Sequence, residues 1–137
     1  MRVVGISKIV SNANPEGIAA LWQRFYADAI SEQIHHKTSG SVIAVYTRYQ
    51  GDHTQPYTVL IGHEVTGRDP LDSSALDEVE IHTASHTKFA VAGKMPDVVI
   101  QQWMDIWNSG RKRAYVADYD IYLPDGSVEI YVEFSEK

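Results

Sequence analysis

The chain has 137 residues, no cysteine, and 18 acidic against 12 basic side chains, which gives a formal net charge of -6. A chain of this length buries roughly two-thirds of its unfolded surface as one domain and needs no disulfide or metal to fold. The composition excludes disulfides, thiol nucleophiles and cysteine zinc sites, and the acidic charge argues against a general nucleic-acid surface. No apolar run approaches the ~20 residues of a membrane helix, so we predict a cytoplasmic protein without a membrane segment.

The first half of the chain predicts strand, helix, strand, turn and strand, in that order. Residues 3–10 read as a strand, after which Asn14 can cap a helix that has Pro15 at its first position. A polar connection follows at 31–40, and then alternating strands at 42–49 and 57–65 are joined by a turn at 50–56. The predicted helix has apolar residues at helical spacing, namely Ile18, Leu21, Trp22, Phe25, Tyr26 and Ala29.

The second half predicts a similar order after a linker at 68–75, which is rich in Asp, Pro and Ser. One long strand is predicted over 81–91. Pro96 then opens a helix that Gly110 is placed to end, and strands at 114–123 and 127–134 form a final hairpin around an Asp-Gly turn. The predicted helix carries four large apolar residues on one face, namely Ile100, Trp103, Met104 and Trp107.

The two halves therefore look like copies of one unit, and the closing strands align with residues 61–65 against 130–134. We predict one α+β domain over 1–137, built from duplicated β-α-β-β units at about 1–67 and 77–137 that are related by a pseudo-twofold axis. Antiparallel sheets should carry the helices on one face. The other face is left to line a ligand cleft between the repeats.

Strand alternation selects the candidate site residues. In the last strand Val128, Ile130, Val132 and Phe134 should be core, while Glu129, Tyr131 and Glu133 should turn toward the groove. Asp118, Asp120 and Tyr122 form another such row on the neighbouring strand. A carboxylate in an aromatic-walled pocket favours a lipophilic cation, through charge pairing and cation–π attraction of about 0.5–2 kcal/mol per contact. Alternation leaves open which acid is buried and whether either row is simply a solvated sheet face.

The other groups of histidine, basic or potentially catalytic residues give no clear prediction of a site. His82 and His86 are four residues apart, but the segment reads as a strand, where that spacing does not converge on a metal. The basic run at 111–113 is interpreted as a solvated loop. No serine elbow, phosphate loop or dinucleotide fingerprint is present, so we predict neither a metal nor a cofactor.

The chain resembles the GyrI-like effector-binding domain, the small-molecule module also found at the C-terminus of AraC- and MerR-type multidrug-responsive regulators and as free-standing integron-cassette proteins. The resemblance spans nearly the whole length and depends on the order and spacing of several segments. These are Gly5-Ile6-Ser7 with Asn12, 18–25, 45–49 with Asp52, 57–62 with Val65, and 118–122 with 128–131.

The resemblance implies that amphipathic, often cationic, aromatic compounds bind in the inter-repeat cleft against a buried acid. Glu129 matches the acid of the family's last strand, and Asp120 stands where many relatives carry glutamate in the preceding strand. The predicted ligand-binding residues are Glu129, Asp120, Trp22, Phe25, Tyr46, Tyr49, Trp107 and Tyr131.

Three functions stay open at this point. The first, which we favour, is a free-standing protein that binds drug-like cations. The second is a modulator of a protein partner, with a homodimer also possible through exposed strand edges. The third is a small hydrolase of strained or electrophilic compounds, with Glu129 and either Tyr46 or Tyr49 as the acting pair. No helix-turn-helix segment is found in the chain, so we expect no direct DNA binding and no transcription regulation by this chain alone.

Overall fold

The computed structural model describes residues 1–11, 13, 16–51, 54–67, 75–83, 85–91 and 97–135. The predicted helix cap at Asn14, Pro15, Pro96 and most of the predicted linker at 68–75 lie outside the described residues. The elements in chain order are β1 Arg2–Val10, α1 Glu16–Ala27, α2 Ile30–Gln33, β2 Val42–Thr47, β3 Tyr57–Val65, β4 Asp77–Glu80, β5 His86–Val91, α3 Asp97–Asn108, β6 Ala117–Tyr122 and β7 Val128–Glu133.

All seven strands form one antiparallel sheet in the order β4-β1-β3-β2-β6-β7-β5. The predicted α+β class is therefore confirmed. On either side of the central β2–β6 pair the strands run outward in matching order, β3 then β1 on one side and β7 then β5 on the other. This arrangement is the one a duplicated unit would produce. The duplication itself stays a prediction.

The two long helices lie on the same face of the sheet. α1 buries Leu21 and Phe25 in a cluster with residues of β1 and β3, including Val4 and Ile61. α3 buries Val99, Trp103 and Ile106 in a second cluster with β5 and β7. A stripe of apolar residues on one side of each helix explains this docking. The central strands β2 and β6 thus form a strip of sheet between the two helices.

The opposite face is concave and packed. From Glu80 to His86 the chain has six residue steps, which span at most about 21 Å. β4 and β5 are nevertheless the two edges of the sheet, six strand spacings or about 29 Å apart along it. The sheet must therefore be strongly curved. Its inner face is filled by an apolar cluster in which Val3, Val45 and Leu60 are fully buried and Ile81 is 2% exposed. The face that we expected to line the cleft is a core instead.

Three strand predictions need correction. The single strand at 81–91 is wrong, because β4 ends at Glu80 and β5 begins at His86 on the other edge of the sheet. β2 ends at Thr47 rather than 49 because Arg48 adopts a left-handed φ of 52°. β6 begins at 117 rather than 114 for a similar reason, since Tyr115 has a φ of 54°. A non-glycine residue in that region breaks the extended run.

Two further predictions agree with the fold. The β2–β3 hairpin pairs as expected, and Gln50 donates its backbone N–H to the Pro56 carbonyl at 3.1 Å to close it. α3 ends at Asn108, and Gly110 follows with a φ of 75°. Within the described residues no helix is both long and apolar enough to cross a membrane.

A close approach of β1 to β3 makes Gly62 indispensable. Gly5 and Gly62 face each other in the register, and a Cβ added at Gly62 would overlap the Val4 carbonyl oxygen. We expect Gly62→Ala to lower the free energy of unfolding by at least about 1–3 kcal/mol, the usual effect of overpacking. Urea denaturation followed by circular dichroism measures this.

The control for that experiment is Gly40→Ala, whose Cβ would meet only the Pro124 Cγ, at an ordinary 3.6 Å. It should change stability by less than about 1 kcal/mol. Equal unfolding midpoints for the two variants would contradict the close approach of β1 and β3.

Candidate ligand-binding site between the two long helices

Register brings two acids and two tyrosines to the strip between the helices. β2 and β6 pair with Ala44 opposite Asp120 and Tyr46 opposite Asp118. Paired residues share a face, and alternation adds Tyr122 to the same row. This row lies on the face that carries the helices. Asp118 and Asp120 are both 0% exposed.

Asp120 is held by neutral hydrogen-bond donors. The Tyr46 hydroxyl donates to its Oδ2 at 2.7 Å, Trp103 Nε1–H to its Oδ1 at 3.2 Å, and the Tyr122 hydroxyl to its Oδ2 at 3.4 Å. Burial raises the pKa of Asp120 to about 7, against the opposing effect of these three donors. Near neutral pH this carboxyl group is therefore close to half ionised, and none of these three donors carries a charge.

Aromatic rings surround this carboxylate. Trp103 meets Tyr46 edge-on at 5.3 Å between ring centroids, and Trp22 meets Tyr122 edge-on at 5.0 Å. Tyr46, Tyr122 and Trp22 each keep part of their surface exposed, so the group reaches solvent. We call these five residues the Asp120 cluster, namely Asp120, Tyr46, Trp103, Tyr122 and Trp22.

The Asp120 cluster is nearly symmetric. In the β2–β6 register, a twofold rotation about the Ala44–Asp120 pair would take Tyr46 to Tyr122. Trp22 and Trp103 are each the seventh residue of their helix. The two tryptophan–tyrosine contacts are therefore equivalent. The symmetry is broken at its centre, where one strand supplies an acid and the other a methyl group. The cluster thus holds one carboxylate beside a small residue.

Asp118 has a built-in counter-ion. Arg113 Nη2 and the Tyr49 hydroxyl both donate to its Oδ2 at 2.6 Å, and the backbone N–H of Glu133 donates to its Oδ1 at 3.0 Å. The Arg113 guanidinium also lies over the rings of Tyr115, at 4.6 Å from the centroid, and of Trp103, at 5.3 Å. The two buried acids therefore differ, because the charge of Asp118 is compensated within the chain.

The prediction of a solvated basic loop is wrong for Arg113. Its side chain is 5% exposed where it pairs with Asp118. The sequence did contain a signal for this inward position. Two carboxylates on one strand face call for a nearby cation if that face is buried, and residues 111–113 are the basic residues nearest to Asp118 and Asp120 in the chain.

Glu129 and Tyr131 lie on the other face of the sheet. The β6–β7 register pairs Ile121 with Glu129 and Tyr119 with Tyr131, so both residues face away from the helices. Lys88 Nζ lies 2.8 Å from Glu129 Oε2 and lowers the pKa of that carboxyl. The expectation that the two acid rows share one groove is therefore wrong. Alternation sorts residues within a strand, but the inter-strand register decides which rows meet.

The remaining predicted site residues separate in the same way. Trp22, Tyr46 and Asp120 come together in the Asp120 cluster, and Tyr49 belongs to Asp118. Phe25 is 1% exposed and packs between α1 and the sheet, as part of the core. Trp107 is 38% exposed, one helical turn beyond Trp103. Trp103 was predicted only as part of the apolar helix face and not as a site residue, but its indole N–H donates to Asp120.

The Asp118–Arg113 pair should be essential for stability. Replacing Arg113 by Met leaves a buried carboxylate without its cation, and we expect a loss of about 3–5 kcal/mol in the free energy of unfolding at pH 7. The matched control is Lys88→Met, which removes the half-exposed partner of Glu129 and should cost less than about 1 kcal/mol. Chemical denaturation checks both, and similar losses in the two variants would contradict the assignment.

The antiparallel sheet, the helix pair on one face and the acid among aromatic rings between them define an α+β domain of the small-molecule-binding class. Among the described residues no group of three metal-ligating side chains lies close enough to hold a metal ion. The chain belongs to the GyrI-like small molecule binding domain family, whose model matches residues 1–134. A comparison with curated proteins finds no match.

Solved structures that share the fold include the following two. Integron cassette protein VCH_CASS2, from the mobile metagenome of Vibrio cholerae, is 28% identical, with a TM-score of 0.81 over 98% of this chain and 90% of that one. The structure of SAV2435 bound to tetraphenylphosphonium is 19% identical, with a TM-score of 0.74 over 98% of this chain and 88% of that one.

Proposed function

We propose that this small-molecule-binding domain takes up lipophilic aromatic monocations between α1 and α3, with Asp120 as the counter-charge. The observation that carries the proposal is a fully buried carboxylate whose hydrogen-bond partners are neutral, set among four aromatic rings. An ionised acid in such a place is unfavourable by itself. A bound cation removes that penalty and gains from the ring faces.

The Asp118 side of the site supports this chemistry. There the chain supplies its own cation to the acid, Arg113, and the guanidinium of Arg113 lies over the rings of Tyr49, Tyr115 and Trp103. The Asp120 cluster has similar walls and an acid without such a partner. Since Asp118 is already compensated, one negative charge remains to be matched. A singly charged ligand fits that balance.

Ala44 and the partly exposed rings indicate where the ligand lies. Ala44 is opposite Asp120 in the register and contributes only a methyl group, so the half of the cluster beside Trp22 is the less crowded one. Trp22 and Tyr122 both reach solvent there. Tetraphenylphosphonium bound to SAV2435 is a lipophilic cation of the kind proposed, and this fold accommodates it in that protein.

The proposal is tested by titrating the protein with tetraphenylphosphonium while following tryptophan fluorescence at pH 7.5. We expect Asp120→Asn to weaken binding about tenfold to a hundredfold, because it removes the counter-charge of a cation that is held in a low-dielectric site. Affinity should also fall as the pH is lowered through 7, because protonation removes the charge of Asp120.

Two controls sharpen this titration. Glu129→Gln removes an acid from the opposite face of the sheet and should leave the dissociation constant unchanged. Neutral triphenylphosphine oxide should bind more weakly than the phosphonium and be indifferent to Asp120→Asn. Loss of binding in Glu129→Gln with retention in Asp120→Asn would reject this site.

A hydrolase remains a second candidate, with different residues from those first predicted. Neither Tyr46 nor Tyr49 can act with Glu129, which lies across the sheet. Tyr46 and Asp120 are hydrogen-bonded at 2.7 Å, and a carboxyl pKa of about 7 suits a general base at neutral pH. Turnover of a strained-ring electrophile that disappears in Asp120→Asn would favour catalysis over binding alone.

A further inference from the structure

We propose that the Asp120 site selects cations that carry no N–H group, such as quaternary ammonium, phosphonium or N-alkylated heteroaromatic ions, over ammonium and guanidinium ions of the same shape. This inference rests on the proposed function and specifies the ligand class of that site. It follows from how the acceptor positions of the carboxylate are occupied.

The carboxylate of Asp120 has little acceptor capacity left for a ligand. An ionised carboxylate offers about four acceptor positions. Tyr46, Trp103 and Tyr122 occupy three of them from within the protein, which leaves one position on Oδ1. Because the side chain has no exposed surface, a ligand N–H would have to move one of these donors aside to reach that position. Its attraction to Asp120 is therefore exerted through space.

The walls of the cluster offer few acceptors in exchange. Trp22 and Trp103 present only indole N–H donors and ring faces. The phenol oxygens of Tyr46 and Tyr122 are neutral acceptors. An ammonium group carries three N–H donors and would leave at least one without a partner after losing its water. A quaternary cation has no such donor to satisfy, and an aromatic cage suits it.

The Asp118 side shows the contrasting arrangement. There Arg113 Nη2 reaches the carboxylate directly at 2.6 Å and contacts the Tyr49 hydroxyl oxygen at 3.2 Å. Asp118 thus has an acceptor position for a cation with N–H groups, and Arg113 occupies it. The Asp120 carboxylate instead accepts from two hydroxyls and one indole N–H, all of them neutral. The two acids are equipped for two different kinds of cation.

The test compares three ligands that share a biphenylmethyl group at pH 7.5, namely 4-biphenylmethyl-trimethylammonium, 4-biphenylmethylammonium and the neutral 4-biphenylmethanol. We expect the trimethylated ion to bind the wild-type protein at least about tenfold more tightly than the unmethylated ion. Tyr46→Phe frees an acceptor position on Asp120, so it should reduce this affinity ratio several-fold by strengthening binding of the unmethylated ion.

Tyr131→Phe is the matched control, because its hydroxyl donates to Glu129 on the other face at 2.9 Å. It should leave the ratio unchanged. The change in ratio between variants also separates hydrogen bonding from the greater hydrophobicity of the methylated ligand, which is the same for every variant. If Tyr46→Phe fails to fold, Tyr122→Phe frees an acceptor position on the same oxygen.

The outcomes separate this inference from the proposed function. A ratio near one in the wild type, or a ratio that Tyr46→Phe does not lower, overturns the selection against N–H groups. The proposed function then still stands if both cations bind more tightly than the alcohol. Equal binding of all three ligands overturns both.

Discussion

The burial of Asp120 without a charged partner is the constraint around which the rest of this molecule is arranged. A carboxyl whose pKa rises from 3.8 to about 7 is unfavourable in its ionised form by roughly 4 kcal/mol relative to water. Because the pKa is raised in the folded protein, stability is lost as the pH rises from about 4 to about 7, the range in which the unfolded chain has released this proton and the folded protein still holds it. The free protein thus retains an acid that works against its own stability, which is the usual mark of a functional site.

The fold makes this arrangement possible because the apolar core and the Asp120 cluster lie on opposite faces of the sheet. The curved inner face of the sheet is a compact apolar core with Val3, Val45 and Leu60 at its centre. The outer face carries α1 and α3, each of which sends one tryptophan toward the central strands. The Arg113–Asp118 pair compensates the neighbouring acid, so that the net charge of the buried site resides on Asp120 alone. The proposed binding site is thereby confined to one side of a well-packed sheet.

Much of this could be predicted from local pattern, and the errors arise where information is non-local. Helical spacing located α1 and α3, and period-two alternation placed Asp118, Asp120 and Tyr122 on one face. Alternation could not decide whether Glu129 faces the same way, because that depends on the five-residue connection between β6 and β7 and on the register it sets. The break between β4 and β5 escaped detection for a related reason, since the two extended pieces look continuous in sequence but pair at opposite edges. Arg113 escaped because three consecutive basic residues suggest solvent, and only the tertiary fold shows that one of them turns inward.

The central claim, that Asp120 is the counter-charge for a bound cation, is tested most directly by measuring protons released on binding. Near pH 6.5 more than half of Asp120 carries a proton, while Asp118 is paired with Arg113 and the pKa values of Tyr46 and Tyr122 are raised above 10. Calorimetry of tetraphenylphosphonium binding in two buffers of different ionisation enthalpy gives the number of protons released. The account predicts release of a large fraction of one proton by the wild-type protein and none by Asp120→Asn. Tight binding without proton release, or equal release by both proteins, would contradict it.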